Sequence, residues 1–581
     1  MAAVSDKQEG LSEVPSLGPY HTPVEKESLE ENVDVIESAE GGVDDHVTLK
    51  TWLVILMLAW SYGASYWPVT SLSTIQTHIA TVLGQPSQAV WFISVYNIAI
   101  TSTFMVSGSN SDLFGRRYFI IGGNVLMVVG TIVIGSAQNL SAVIAGMALS
   151  GIGGANCSLA VFAIPELLPN KWRHIGVAIA DTSIMFDVIM GPSVTRFVTT
   201  SRTTWRWVFY ANAITNATTG VLLFLFYYPP KHPRGIPWAR ALKEVDYMGG
   251  LLFAAATATI LCGIAYASFL PSSDPHVVAM LVCGFAAMIA FALWETFAPL
   301  KQPLAPTRLF THNRGQTLSV PFFVAALVTV YYLAINIIWG TMVSIFFARS
   351  TSDGAKLSLV QGFGFMAGAA GSAYLGGILK RWRTMMFASS AVATIFGGLL
   401  ALSRPDTRGL SIAFTFLNSM GYGWAQIMSI TFCQFGADQV ELGISGGLAG
   451  VARYGGGAIA GTVFTTILSN GVSSNLYRVT DAATSAGATE SVAGNILATI
   501  ALGKDRVLSI PGVTLSMYEA AYGAYLKAYE LGLRTTCLAS IAFGLAACIG
   551  CLFLEDISGK MTPKIEVFLE NDVNARKNKY H

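Results

Sequence analysis

From residue 51 onward the chain alternates between apolar runs of about twenty residues and short polar breaks, and this rhythm recurs about fourteen times. The runs lie near 51–71, 89–107, 118–136, 141–163, 174–195, 207–228, 247–268, 277–297, 317–347, 357–379, 385–402, 410–432, 444–466 and 532–554. About 20 apolar residues of helix cross the roughly 30 Å of bilayer hydrocarbon. None of the runs shows the period-2 alternation of a barrel strand, so the pattern predicts helices. The run at 317–347 is too long for one straight crossing and predicts a tilted or interfacial end. Two segments break the rhythm. Residues 1–50 are polar and acid-rich ("VEKESLEENVDVIESAEGGVDD"), which predicts a disordered tail. Residues 467–531 are long and polar, and their amphipathic stretch "LSMYEAAYGAYLKAYELGL" is expected to lie along the membrane surface.

Composition agrees with this class: 53% of the 581 residues are hydrophobic and 12% are charged, half the usual soluble share. The chain therefore reads as an all-α polytopic membrane protein. A net charge of +1 gives no basis for a nucleic-acid partner. Most loop Lys and Arg, from Arg116 and Arg117 through Lys171 and Arg173 to Lys380, Arg381 and Arg383, fall in even-ranked loops. An even span count and this bias put both termini in the cytoplasm. Seven cysteines lie in or beside apolar runs without disulfide or zinc spacing. No Walker-type phosphate loop, His-rich metal cluster or nucleophile motif occurs, so neither an enzyme nor a cofactor or metal site is expected. "GSNSDLFGRRYFI" (108–120) and "GGILKRWRTMM" (376–386) hold equivalent places if the seventh and eighth runs are an insertion. The expected plan is then an N-terminal six-helix bundle (51–228) and a linker with two inserted helices (229–316). A C-terminal six-helix bundle with a long outer loop (317–554) and a cytoplasmic tail (555–581) complete it.

An acid and an Arg pair at the edge of the bilayer carry the first resemblance. Gly108, Asp112, Gly115, Arg116 and Arg117 resemble the loop motif of the major facilitator superfamily, with Asn110 where that motif usually has Leu. "IPELLPNKWRHIG", "TTWRWVFYANAITN", "LFYYPPKHP", "ARYGGGAIAGTVFTTIL" and "SIPGVTLSMYEAAYGAYLKAY" are similar to the fungal fourteen-span branch that includes trichothecene efflux pumps, a relative of siderophore transporters. The resemblance implies the major facilitator fold, two six-helix bundles plus two inserted helices. It also implies that Asp112 and its neighbours form a conformational latch against the helix starting near Gly443. Gly191-Pro192 matches part of the drug:proton antiporter motif of the fifth span, although Thr195-Arg196 replaces its closing Gly pair.

Asp187, near the middle of span five, is the leading proton-coupling candidate, since a carboxylate at that depth is costly and functional by default. Asp181, Glu166 and Arg453 follow as proton-coupling or substrate candidates, with Glu166 read chiefly as a loop-edge charge and Arg453 as a partner for an acid. Six residues turn about 240°, so Asp181 and Asp187 do not share a helix face. Tyr331, Asn336, Trp339, Asn418, Trp424 and Gln426 suit a large, weakly charged ligand in a cavity, or ordinary interhelical bonds. Trp205-Arg206-Trp207 reads as an interfacial anchor, and the Gly-rich runs at 151–158, 362–377 and 443–461 read as close helix packing. Together these features predict a monomeric, proton-coupled exporter of a toxin, secondary metabolite or drug. Its partners are the small organic substrate, protons and the lipid bilayer, and its site is the plasma membrane or else a vacuolar or vesicular membrane. The alternatives are import of an iron–siderophore with protons, or a nutrient sensor that does not transport.

Overall fold

Every apolar run forms helix in the computed structural model, and no strand occurs among the described residues. Those residues are 47–84, 89–199, 204–230, 237–267, 270–271 and 273–578. The expected N-terminal tail lies outside them up to residue 46, and its last residues, Leu49 and Lys50, already belong to the first helix. The first run is a broken pair, α1 (Leu49–Ala64) and α2 (Trp67–Val82), because Pro68 supplies no amide to continue the ladder. Then come α3 (Val90–Phe114), α4 (Arg116–Ser136), α5 (Leu140–Ser158), α6 (Ala160–Glu166), α7 (Arg173–Val198) and α8 (Arg206–Phe226). A short α9 (Trp238–Glu244) leads to α10 (Tyr247–Tyr266) and α11 (Pro275–Phe297), and α12 (Thr307–Thr311) lies between α11 and the second half of the chain.

The remaining long helices are α13 (Ser319–Met342), α14 (Thr351–Leu379), α15 (Trp382–Leu399), α16 (Arg408–Phe435) and α17 (Leu442–Ser473). Small helices α18 (Tyr477–Ser485), α19 (Glu490–Thr499) and α20 (Lys504–Leu508) precede α21 (Leu515–Cys551). Ten described helices are long and apolar enough to cross a membrane by length and composition. The other four expected spans are helical but different in make-up. The α1 helix has 16 residues, and α3, α16 and α17 mix Gly, Ser, Thr, Asn and Gln into their apolar sequence. Those polar groups are largely buried, as with Asn418, Ser419, Gln426 and Gln434 of α16, so these helices face protein more than lipid.

Three expectations change here. The long 317–347 run is one continuous helical segment, α13 closed by a π-turn over Val343–Phe347, so its extra length is taken up partly by a change of helix type at its end. The motif stretch 108–114 is the last two turns of α3 and not a loop; Gly115, at φ +88°, makes the whole turn into α4. The amphipathic stretch after residue 514 is no separate surface helix. It is the first half of α21, whose 37 residues reach about 55 Å. Its apolar face, with Tyr518 and Tyr525, packs against Val479, Ile496 and Val507 of the small helices, so protein rather than lipid covers it.

Helices α1 to α8 pack mainly on one another, as do α13 to α17 with α21, and α10 lies with α11 against α3 and α17. The two groups meet where α3 crosses α17 and where α7 crosses α14. Glycine-rich faces let backbones touch: a Cβ on Gly368 would lie 2.0 Å from the Met420 carbonyl oxygen. Thr48 and Thr51 both donate to Asp572 Oδ2, at 2.6 and 2.9 Å, so the described chain ends meet at one end of the bundle. Tags at residues 10 and 575 are therefore expected on one side of the membrane, with a tag near residue 490 on the other. Protease protection in sealed vesicles measures this, and termini on opposite sides would contradict the even number of crossings.

Candidate functional site

The end of the bundle where the described chain begins and ends is closed by a polar seam. Asp112, in the last turn of α3, is 3% exposed. Its carboxylate accepts from the amides of Gly443 (2.8 Å) and Ile444 (3.1 Å) at the start of α17. Those amides are the unsatisfied donors of a helix N-terminus, where the positive end of the helix dipole favours an anion. Contact this close needs glycine on both sides: a Cβ on Gly108 would lie 2.4 Å from the Gly443 carbonyl oxygen, and one on Gly443 would lie 2.3 Å from that of Gly108. Arg116 pairs with Asp112 (3.2 Å) and with Glu166, and also donates to the Phe162 carbonyl. Glu166 in turn accepts from Gln439 (2.6 Å), which accepts from Arg173 (2.8 Å). Gln434 reaches across to the Val161 carbonyl at 3.1 Å.

Two sequence readings are corrected at this seam. Glu166 is not a loop-edge charge; it is largely buried, ending α6, because folding brings Arg116 beside it. Arg117 sits off the seam. Its guanidinium donates to the Phe224 carbonyl (2.7 Å) and lies 3.8 Å from the Tyr228 ring, capping the end of α8.

Deeper in, Asp181 of α7 is fully buried and pairs with Arg453 of α17 at 2.9 Å. Tyr62 of α1 joins both: its hydroxyl donates to Asp181 (3.1 Å) and accepts from Arg453 (2.6 Å). Asp181 lies eight residues, about 12 Å, beyond the start of α7, and Arg453 lies eleven residues into α17. Aromatic rings surround the pair. Tyr66 stacks on Tyr454 with centroids 6.0 Å apart, and Tyr332 stacks on Tyr422 at 3.7 Å. Asp187 stands apart from this network. It is 4% exposed and has no hydrogen-bond or ion-pair partner among the described residues. It is spaced four residues from Ser183, which meets Gly63, and four from Gly191, which meets Thr70. That places it on the α7 face opposite the break between α1 and α2. Arg453 thus partners Asp181 and not Asp187, because the 240° turn between the acids points only one of them at α17.

Beyond this network, toward the end away from the termini, a cavity of about 690 Å³ opens between α2, α7, α13 and α14. Thr70, Met185, Ile189, Pro192, Tyr332 and Trp339 line it with Asn336 and Gln361, whose side chains bond to each other at 2.9 Å. Arg349 is the charged residue in this lining, and no acid lines it among the described residues. Of the six residues expected in a cavity, Asn336 and Trp339 are there. Tyr331 instead donates to the Thr394 carbonyl (3.0 Å) and Asn418 to the Ala393 carbonyl (2.8 Å). Gln426 meets Thr329, and the Trp424 ring covers Gly371. These four serve helix contacts, since a polar side chain in a span satisfies itself on the nearest carbonyl or hydroxyl. Gly191 packs on Thr70 and brings α7 against α2 beside the cavity, with Pro192 in its wall. Trp205 is fully buried and stacked under Arg206, so of that triplet's two tryptophans Trp207, 67% exposed, is the one open to the surroundings. Sequence reading passed over Tyr62, Tyr66, Tyr422 and Tyr454; an Arg between Gly runs, followed at once by Tyr, was the available signal.

The known proteins agree with this arrangement. The pattern that defines the fungal trichothecene efflux pump family (TRI12) matches residues 54–580. The MFS-type transporter prx5 of Penicillium rubens is 37% identical over 522 residues, covering 89% of this chain and 93% of its own. The trichothecene efflux pump TRI12 of Fusarium sporotrichioides is 22% identical over 525 residues, covering 88% of this chain and 87% of its own. Among solved structures, the proton:xylose symporter XylE superposes with a TM-score of 0.53 at 12% identity, covering 89% of this chain and 98% of that one. The human organic anion transporter MFSD10 gives 0.51 at 13% identity, covering 88% of this chain and all of that one. At such identities the two structures speak for the fold. With the family pattern spanning nearly the whole of α1 to the C-terminal segment, this chain belongs to the fungal trichothecene efflux pump family of the major facilitator superfamily.

Proposed function

We propose that the protein exports a weakly charged, partly apolar toxin or secondary metabolite in exchange for protons, by alternating access. The observation that carries the reading is the asymmetry about the Tyr62–Asp181–Arg453 network. On its termini side the two helix groups are bonded across the seam, and on its other side they enclose the cavity. With the termini in the cytoplasm, this is a state sealed to the cytoplasm with its cavity toward the outside. The aromatic, amide and single guanidinium lining suits a neutral or weakly anionic ligand and disfavours a cation. Two relatives, one named an efflux pump and one an efflux transporter, point the same way. Asp181 is proposed as the coupling carboxylate. Its protonation removes the charge that holds Arg453, and so loosens α7 from α17 where the groups must part. A ligand or proton moves such an equilibrium only through different affinity for its two states, which the pairing and its loss provide.

The reading is tested in inside-out vesicles or proteoliposomes with a radiolabelled trichothecene. Accumulation is expected to require an imposed pH step and to collapse with a protonophore. Trichothecene movement indifferent to the pH step, or pH-driven uptake of a ferric siderophore in its place, would overturn it. Asp187 is proposed as a second carboxyl that tunes coupling from outside the network. Asp187→Asn is expected to slow pH-driven efflux by about tenfold, the effect of about 1.4 kcal/mol, while exchange down the substrate gradient persists. If exchange is lost too, Asp187 holds structure or substrate rather than a proton.

A further inference from the structure

The segment after α21 does not behave as a tail. It leaves the second helix group at Leu554 and Ile557, both buried, and stays on that group through Ser558, which donates to the Lys380 carbonyl (3.3 Å), and Lys560, which donates to the Phe435 carbonyl (3.0 Å). It then crosses the seam. Ile565 pairs with Pro169 as in an antiparallel bridge, flanked by Asn170 N–H donating to the Lys564 carbonyl (2.9 Å) and Lys171 N–H to the Thr562 carbonyl (2.8 Å). Val567 N–H donates to the carbonyl of Glu166, the same residue whose carboxylate holds Arg116. Farther on, Glu570 N–H bonds to the Tyr228 carbonyl (2.7 Å), Leu569 is buried, and Asp572 receives Thr48 and Thr51 of α1. The segment is anchored to one helix group at its start and to the other along its length.

We propose that residues 555–578 are a strap that holds the seam shut and must release for the cytoplasmic side to open. A cross-group connection of this kind, made from backbone hydrogen bonds along an extended chain, forms only while the two groups are close. It adds its free energy to the closed state and none to the open one, so it sets how often the gate opens. A pocket of about 320 Å³ remains between the strap and Asp112, Arg116 and Glu166, so the strap bridges the latch without filling the space around it. The proposal rests on the alternating-access reading above.

Hydrogen exchange of the full-length protein in nanodiscs tests it without any substrate. The reporters are the Gly443 and Ile444 amides, whose hydrogen bonds go to Asp112 and not to the strap, so loss of the strap's own hydrogen bonds does not free them. A chain ending at Asp556 is expected to exchange these amides about tenfold faster. In the full chain, Lys171→Cys with Thr562→Cys joins the strap to its dock; oxidation is expected to slow the same exchange, and reduction to restore it. Single-cysteine variants control for Cys283, the exposed native thiol among the described residues. Where the shortened chain fails to fold, the cysteine pair decides. Exchange at Gly443 and Ile444 that is unchanged by oxidation of the pair overturns the strap, even where trichothecene efflux proceeds. Failure of efflux with the expected exchange pattern overturns the transport reading and leaves the strap standing.

Discussion

Replacing Asp181 with Asn is expected to abolish pH-driven efflux and to destabilise the protein, whereas Asp181→Asn combined with Arg453→Gln recovers the stability but not the coupling. The physical reason is an uncompensated charge. Arg453 lies inside the bundle with Asp181 as its acid partner, and removing one member of a buried ion pair typically costs about 3–5 kcal/mol. Tyr62 still offers its hydroxyl to Arg453 in the single variant, but a neutral oxygen does not balance a guanidinium. Removing both charges lifts that penalty, so the double variant is expected to melt close to the wild type, and the cycle isolates the pair energy. Its efflux stays near the background of empty vesicles, because the pair through which protonation loosens α7 from α17 is gone. Melting temperature in detergent and pH-driven accumulation in proteoliposomes are the two measurements. A double variant that accumulates substrate with normal pH dependence would place the proton on another carboxylate, Asp187 first.

Turnover in Asp112→Asn should fall about thirtyfold or more, with substrate affinity within about twofold of the wild type. The carboxylate of Asp112 accepts two amides of the α17 terminus and the Arg116 guanidinium at once. Asn presents one acceptor and one donor, so an N–H of the helix terminus would face an NH2 group. Charge-assisted hydrogen bonds of this kind contribute about 1.5–3 kcal/mol, and the loss falls on the closed state alone. Substrate sees little of it, since the cavity lies on the far side of the Asp181–Arg453 pair. Arg116→Ala should act in the same direction and more severely, leaving Asp112 and Glu166 as two acids without their shared cation. Initial rates and equilibrium binding of a labelled trichothecene separate the two quantities. Variants that bind tenfold more weakly yet turn over normally would make this cluster part of the substrate path.

Much of the bundle was legible in one dimension because crossing a bilayer is a local demand. Fourteen apolar runs became helix, most with edges shifted by a few residues, although the first broke in two and the last began 17 residues early, and the Gly runs did become backbone contacts, as at Gly368 against Met420. The errors share a cause. Hydropathy ends a span where polar residues begin, yet Ser109, Ser111 and Asp112 continue α3 because they are buried in the bundle, with Asp112 bonded to α17. The stretch after residue 514 looked like a surface helix because its charges exclude it from lipid. Nothing local showed that α18 to α20 would cover its apolar face. Of the six polar and aromatic residues picked for a cavity, the four that serve packing have the same chemistry as the two that line it.

The sequence by itself determined the class of the protein, its helical spans and the cluster from Gly108 to Arg116, since each depends on residues close together in the chain. Tertiary structure alone decided that Asp181 rather than Asp187 takes Arg453, 272 residues away, with Tyr62 between them. It also decided that Glu166 is buried under Arg116, and that the last 24 described residues bind back across the seam. A carboxylate in a span must find a cation or a donor, but which one it finds depends on how two helix groups rotate against each other. That rotation is fixed by the summed packing of many side chains, and no periodicity along the chain encodes it.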